Sequence, residues 1–134
     1  KRWLSQPNGA LGFVDMVIAA GDVAEAAERF SRFLGRPAVA ALSGRTIQLD
    51  RGQVQIMSAA AFRATFPEVT VPRLPFIGAY AIKVQSLGAM EAALRNAGMP
   101  SRRVGAALVA HFPAELGVGA WVFAENPSQL PWRT

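Results

Sequence analysis

The chain has no cysteine. That removes disulfides, thiolate nucleophiles and sulfur-based metal sets, and leaves the fold standing on packing alone. It has a single histidine, His111, so a zinc site of common composition cannot be assembled from it. No apolar run approaches the ~20 residues that a membrane span needs. No signal-peptide pattern of charged start, apolar middle and small-residue cleavage site is present. These absences point to a cytoplasmic protein with no membrane partner. A run of like charge is also missing. The formal net charge is +5, yet the twelve arginines are spread from Arg2 to Arg133, and only Lys1-Arg2 and Arg102-Arg103 are adjacent. Binding a phosphate backbone needs cations converging on one face, ideally with aromatics to stack bases. No nucleic-acid partner is therefore expected, and the scattered arginines read as a solvated surface. Gly117-Val118-Gly119 lacks the helix and lysine that would make it a phosphate-binding loop. A Gly-x-Ser-x-Gly elbow is absent as well.

What is present is one pattern occurring twice. An apolar run, Phe13 to Ala20, leads to Asp22, a helical stretch and then Gly35-Arg36-Pro37. Another, Phe76 to Val84, leads to Ser86, a helical stretch and then Gly98-Met99-Pro100. Gly35 and Gly98 are 63 residues apart, as are Pro37 and Pro100, while the caps Asp22 and Ser86 are 64 apart. Two copies of one small β-α-β unit are implied. A chain of 134 residues that is 51% hydrophobic is one domain's worth and can bury a sizeable core.

In the first copy Asp22 is an N-cap, and Glu25 three residues later completes a capping box. Val23, Ala26, Ala27, Phe30, Phe33 and Leu34 form an apolar stripe, which Gly35 and Pro37 end. Three short strands are predicted next: Ala38 to Leu42 into a Ser43-Gly44 turn, Arg45 to Leu49, and Gln53 to Ser58. Along the last, Gln53, Gln55 and Met57 face one side and Val54 and Ile56 the other. Ala59 to Phe66 reads as a short helix, and Pro67, Pro72 and Pro75 stiffen the crossing to the second copy. There a strand ending at Val84 precedes a Ser86-capped helix with Leu87, Met90, Leu94 and Ala97 on its stripe and a Glu91–Arg95 surface pair. Strands over Arg102 to Val109 and Gly117 to Ala124 complete the unit, with one more boundary between Val104 and Phe112 left open. The expected division is a lead-in or linker over 1–12, a paired-module domain over 13–125 and a polar tail over 126–134. Within the domain, module one covers 13–58, the connector 59–75 and module two 76–125.

The doubled β-α-β-β-β order, the strand-cap-helix-Gly-x-Pro opening and the final strand Gly117-Val118-Gly119-Ala120-Trp121-Val122-Phe123 resemble the vicinal oxygen chelate superfamily. That group holds glyoxalase I, methylmalonyl-CoA epimerase, fosfomycin and bleomycin resistance proteins and extradiol dioxygenases. The connector, Ala59 to Pro67 followed by Leu74-Pro75-Phe76, looks like that of a glyoxalase-like subgroup. The resemblance implies an α+β fold in which two βαβββ modules form a curled mixed sheet, a cup with the helices outside. It also implies where a metal would be held. In module one those positions carry Asp15, where histidine is usual, and Gln55. In module two they carry Ala79 and Trp121, which cannot ligate. Two weak oxygen ligands hold a divalent ion poorly, so neither metal nor other cofactor is expected.

Each candidate residue has two readings. Asp15, in an apolar strand, is either a pocket-facing polar group or a carboxylate with a structural partner such as an arginine or the backbone. Gln55 is a ligand contact or part of a solvated sheet face. Trp121 and Phe123 line an apolar pocket or pack in a core or dimer interface. His111 is a ligand contact or a strand-edge histidine. Tyr80 is expected to pack in the core. The function these residues imply is metal-free binding of a small organic molecule in the cup, by a glyoxalase/bleomycin-resistance-like protein. One alternative is a lyase, isomerase or dioxygenase-like enzyme with Asp15 as its base. Another is the non-catalytic half of a longer, four-module protein, with a further domain upstream of the lead-in. A homodimer is the remaining partner expectation.

Overall fold

Both modules start where the caps require. In the computed structural model, which describes residues 10–41, 44–113 and 117–133, Asp22 accepts a hydrogen bond from the Glu25 N–H at 3.1 Å and opens α1 (Val23–Leu34). Ser86 accepts from the Ala89 N–H, also at 3.1 Å, and opens α3 (Leu87–Asn96). Each contact satisfies a donor left orphaned at a helix start. Gly35 closes α1 at φ 69°, in the left-handed region that glycine enters without penalty. The reciprocal half of the expected capping box is replaced, because the Glu25 carboxylate turns to Arg29, 2.9 Å away and one helical turn on. Between the modules lies α2 (Ala59–Thr65), capped by Ser58.

The strands are β1 (Ala10–Ala20), β2 (Ala38–Ala41), β3 (Gly44–Gln48), β4 (Gln53–Ser58), β5 (Phe76–Val84), β6 (Arg102–Val104), β7 (Ala107–His111) and β8 (Ala120–Ala124). Among the described residues they form one open, curled, mixed sheet in the order β2-β3-β4-β1-β5-β8-β7-β6. Each half has a parallel pair, β1–β4 or β5–β8, extended outward by antiparallel strands. The halves join through the antiparallel pairing of β1 with β5. This is the α+β architecture implied by the doubled order. Three boundaries differ from expectation. β1 begins at Ala10, inside the lead-in, because its backbone continues to pair with β5 as far as Val84. The stretch expected as strand from Arg102, with a boundary left open between Val104 and Phe112, is divided there into two strands, turned at Gly105 with φ 57°. The last strand starts at Ala120, since Gly117 and Gly119 hold φ of 100° and 151° and interrupt the extended line. Residues 1–9 of the lead-in, the turn at Leu42 and Ser43, and Thr134 lie outside the described residues. No helix among the described residues is long and apolar enough to cross a membrane.

Alternation along the strands divides the core in two. On the outer face Ile18, Ala20, Val54 and Ile56 pack under α1, while Val84, Leu108, Ala110 and Phe123 pack under α3. The inner face, inside the cup, carries Val17, Ala19, Met57, Ala79, Ala81, Ala120 and Val122. Its side chains on β5 and β8 are small, and large rings sit over them: Phe62 and Phe66 from the connector, and Trp132 from the tail. The tail expected to be polar is two short 3-10 turns, Pro127–Gln129 and Pro131–Arg133, which place Leu130 and Trp132 in this inner core. The cup is filled by its own chain.

Candidate functional site

β1 runs beside β4 with Asp15 opposite Gln53, so the carboxylate enters the cup from the middle of the sheet. Asp15 is 0% exposed. A buried carboxylate demands charge-assisted partners, and the tail supplies them. The Trp132 indole Nε1–H donates to Asp15 Oδ2 at 2.6 Å, and Arg133 Nη2 donates to Oδ1 at 2.7 Å. Arg133 Nε at 3.3 Å and Gln53 Nε2 at 3.2 Å complete the set on Oδ2. Asp15 thus has the structural partner that one of its two readings required, and the arginine is Arg133. Gln55 lies farther along β4, 1% exposed, and its Oε1 accepts from Thr46 Oγ1 at 2.8 Å. The solvated sheet face considered for it does not occur, because the inner core covers β4.

At the β7 end of the cup a second polar group assembles. Arg102, at the start of β6, donates from Nε and Nη2 to the Glu68 carboxylate at 2.5 and 2.9 Å, and from Nη2 to the Thr65 carbonyl at 2.8 Å. The arginine pins the connector to the outer strands. His111, exposed at the end of β7, stands beside two recesses of about 180 Å³ each. Arg102, Ser101 and Val109 line one, and Thr70, Phe112 and Gly117 to Gly119 line the other. Glu68 and His111 are common to both.

The Arg102 guanidinium, and more weakly the positive charge of His111, hold the Glu68 carboxyl below its ordinary value of 4.5. A carboxyl lowered on folding adds stability that is whole above 4.5 and lost as pH falls through the lowered value. The urea midpoints of the wild type and Arg102→Met should therefore differ near pH 6 and draw together as pH falls below 4.5. A gap that stays constant with pH would show that Arg102 acts through packing and the Thr65 carbonyl, and not through Glu68.

Trp121 and Phe123 lie elsewhere. The pairing of Ala79 with Ala120 and of Ala81 with Val122 turns Ala120 and Val122 into the cup and Trp121 toward α3. Assigning Trp121 to an inward, metal-equivalent position is corrected by this register. Tyr80 is half-buried and stacks on Phe112 with ring centroids 6.3 Å apart. The expected Glu91–Arg95 pair is replaced by a contact of 3.1 Å from Arg103 on β6 to Glu91. Trp132, Arg133, Glu68 and Arg102 were not singled out as site residues by sequence. The one local sign among them was the adjacent pair Arg102-Arg103.

No protein-family model matches the chain, and no curated protein matches it. Solved structures do. A methylmalonyl-CoA epimerase from Mycobacterium tuberculosis aligns with a TM-score of 0.59 at 24% identity, over 89% of this chain and 91% of that one. A hypothetical protein from Bacillus halodurans C-125 aligns with a TM-score of 0.65 at 15% identity, over 88% and 96%. A variant methylmalonyl-CoA epimerase from Streptomyces coelicolor, in complex with 2-nitronate-propionyl-CoA, aligns at 0.59 and 11% identity, over 84% and 94%. The fold is that of the vicinal oxygen chelate superfamily. At these identities the likeness is one of fold.

The metal that gives the vicinal oxygen chelate fold its name finds no fitting donors here. Asp15 already receives four hydrogen bonds, two of them from a guanidinium whose charge opposes a cation. The facing positions of the second module are Ala79, Ala81, Ala120 and Val122. No group of three or more His, Asp or Glu among the described residues is placed to hold an ion. Among the described residues, enough oxygen or nitrogen ligands for a divalent cation are not gathered inside this cup.

Proposed function

We propose that this protein is a metal-free binding protein on the vicinal oxygen chelate fold. It takes a small organic acid at the β7 end of the cup, between the connector and β7. The observation that carries this reading is the meeting of two recesses at Glu68 and His111, an opening on a face that Phe62, Phe66 and Trp132 fill farther along. An imidazole, the Thr70 hydroxyl and the glycine-rich backbone at Gly117 to Gly119 line that opening. They provide hydrogen-bond donors suited to a carboxylate. Glu68, neutralised by Arg102, would not repel it.

A second reading is an isomerase, favoured by the epimerases among the fold neighbours, one of them in complex with methylmalonyl-CoA. Asp15 is a poor base for it. A general base must come within hydrogen-bond reach of the proton it removes, and Trp132, Arg133 and Gln53 surround its oxygens. That role would fall to His111.

Two measurements separate these readings. A thermal-shift series with short mono- and dicarboxylic acids should give saturable stabilisation, lost in His111→Ala. Methylmalonyl-CoA incubated with the protein in deuterated buffer should acquire no deuterium at its α-carbon. Deuterium uptake that depends on His111 would replace the binding reading with the isomerase, and stabilisation unchanged by His111→Ala would remove the site.

A further inference from the structure

We propose that the hollow between α3 and the outer face of the sheet is a binding site for a compact, uncharged aromatic molecule. It is distinct from the cleft at His111 and lies on the opposite face of the sheet. The cavity measures about 300 Å³, and among the described residues its lining side chains are aliphatic, aromatic or thioether. Trp121 and Phe123 of β8 form its floor, Met90 and Met99 its walls, and Ala93 and Ala97 of α3 its roof.

The two modules build this interface differently. Counting back from the glycine that ends each helix, Ala93 and Ala97 stand where α1 has Phe30 and Leu34. In the first module Phe30 and Leu34 pack against the buried cluster under α1 and occupy the space between helix and sheet. In the second, Leu94 reaches the buried cluster under α3, and beside it the two alanines leave a hollow. Interiors are close-packed, and an apolar hollow forfeits dispersion contacts along its lining, so a ligand seated there gains contacts that the first module makes with its own side chains.

The chemistry of the walls limits the ligand. Among the described residues no charged side chain lines the hollow, so a charge brought into it would go unpaired. The Trp121 and Phe123 rings, with centroids 6.5 Å apart and tilted by 35°, offer edge and face contacts to another ring. The thioethers of Met90 and Met99 adapt to irregular shapes and favour aromatic edges. An apolar cavity of ~150 Å³ already admits benzene, so this one has room for one ring or two fused rings. Met99 and Trp121 are half-buried and Ala97 is exposed, which gives the ligand a way in from solvent.

The chain's four methionines make the test direct. Met90 and Met99 line the hollow, whereas Met57 lies in the inner core and Met16 on β1. Indole titrated into protein carrying methyl-13C methionine should shift the Met90 and Met99 methyl resonances saturably and leave Met16 and Met57 in place. Indole-2-carboxylate should bind at least tenfold more weakly. Ala93→Phe, which restores the ring of the first module, should weaken indole binding at least tenfold while the Met57 resonance stays put. If that variant does not fold, Ala97→Leu fills the same space and must show the same loss. The proposal is overturned by no saturable shift at Met90 and Met99, by equal shifts at all four methionines, or by undiminished binding in a folded filled variant. It is also overturned if those resonances move with protein concentration alone, which would give the hollow to a second copy of the chain.

Discussion

Trp132→Ala is expected to destabilise the protein by about 3–5 kcal/mol, the range for truncating a large buried aromatic. The residue is 2% exposed and sits in the inner core, its ring centroid 6.2 Å from that of Phe66. Truncation opens a cavity over the small side chains of β5 and β8. It also takes from Asp15 the donor at 2.6 Å, a hydrogen bond to a charged group inside the core. Arg133 keeps its own contact with Asp15 and its side chain is 29% exposed, so water can help to solvate that end of the pair. The cavity is therefore the larger part of the loss. Urea unfolding followed by two probes measures the change and tests two-state behaviour. A cost below about 1 kcal/mol, the level of an ordinary surface substitution, would mean that the tail is not part of the core.

Gly78→Ala should cost roughly 1–3 kcal/mol, the usual penalty for overpacking a filled site. Gly78 is the extra residue of a bulge in β5, between the pairs Val17–Ala79 and Ile18–Ile77. A Cβ there would stand 2.2 Å from Cζ of Phe62. The Phe62 ring cannot easily retreat, because it is fully buried and lies 4.8 Å, centroid to centroid, from Phe66. Glycine in this strand lets the ring come down onto the backbone, as expected of a close approach. Thermal or urea unfolding gives the loss, and Phe62→Leu in the Gly78→Ala background should recover part of it. A Gly78→Ala protein as stable as the wild type would show that the ring has room to move, and that the connector plugs the cup loosely.

Signals that act over a few residues were legible in the sequence. Asp22 and Ser86 cap their helices, Gly35 stops α1, and Ser58 begins the short connector helix, because each acts on backbone within one turn of itself. The succession of elements along the chain was legible in the doubled unit, whereas their order in the sheet was not. The candidate site depended on distant pairings. Asp15 is explained by residues 117 and 118 positions away, and nothing near Asp15 announces them. Leu130 and Trp132 sit in a segment broken by Pro127 and Pro131, too short to show a period, so their burial left no pattern to read. The facing of Trp121 is set by the β5–β8 register, and a shift of one residue sends a side chain to the opposite face. Arg102 and Arg133 looked like ordinary surface arginines until folding brought Glu68 and Asp15 to them.

That the cup is closed by its own tail, docked on Asp15, is tested most directly by hydrogen exchange at the Trp132 indole Nε1–H. Its resonance can be assigned by its disappearance in Trp132→Phe. A donor buried against a carboxylate exchanges only when the surrounding unit opens, so its protection should match that of the slowest backbone amides of β1 and β5. Exchange at the rate of a solvent-exposed indole would contradict the closed cup, and would return Asp15 and Gln55 to the list of residues a ligand could reach.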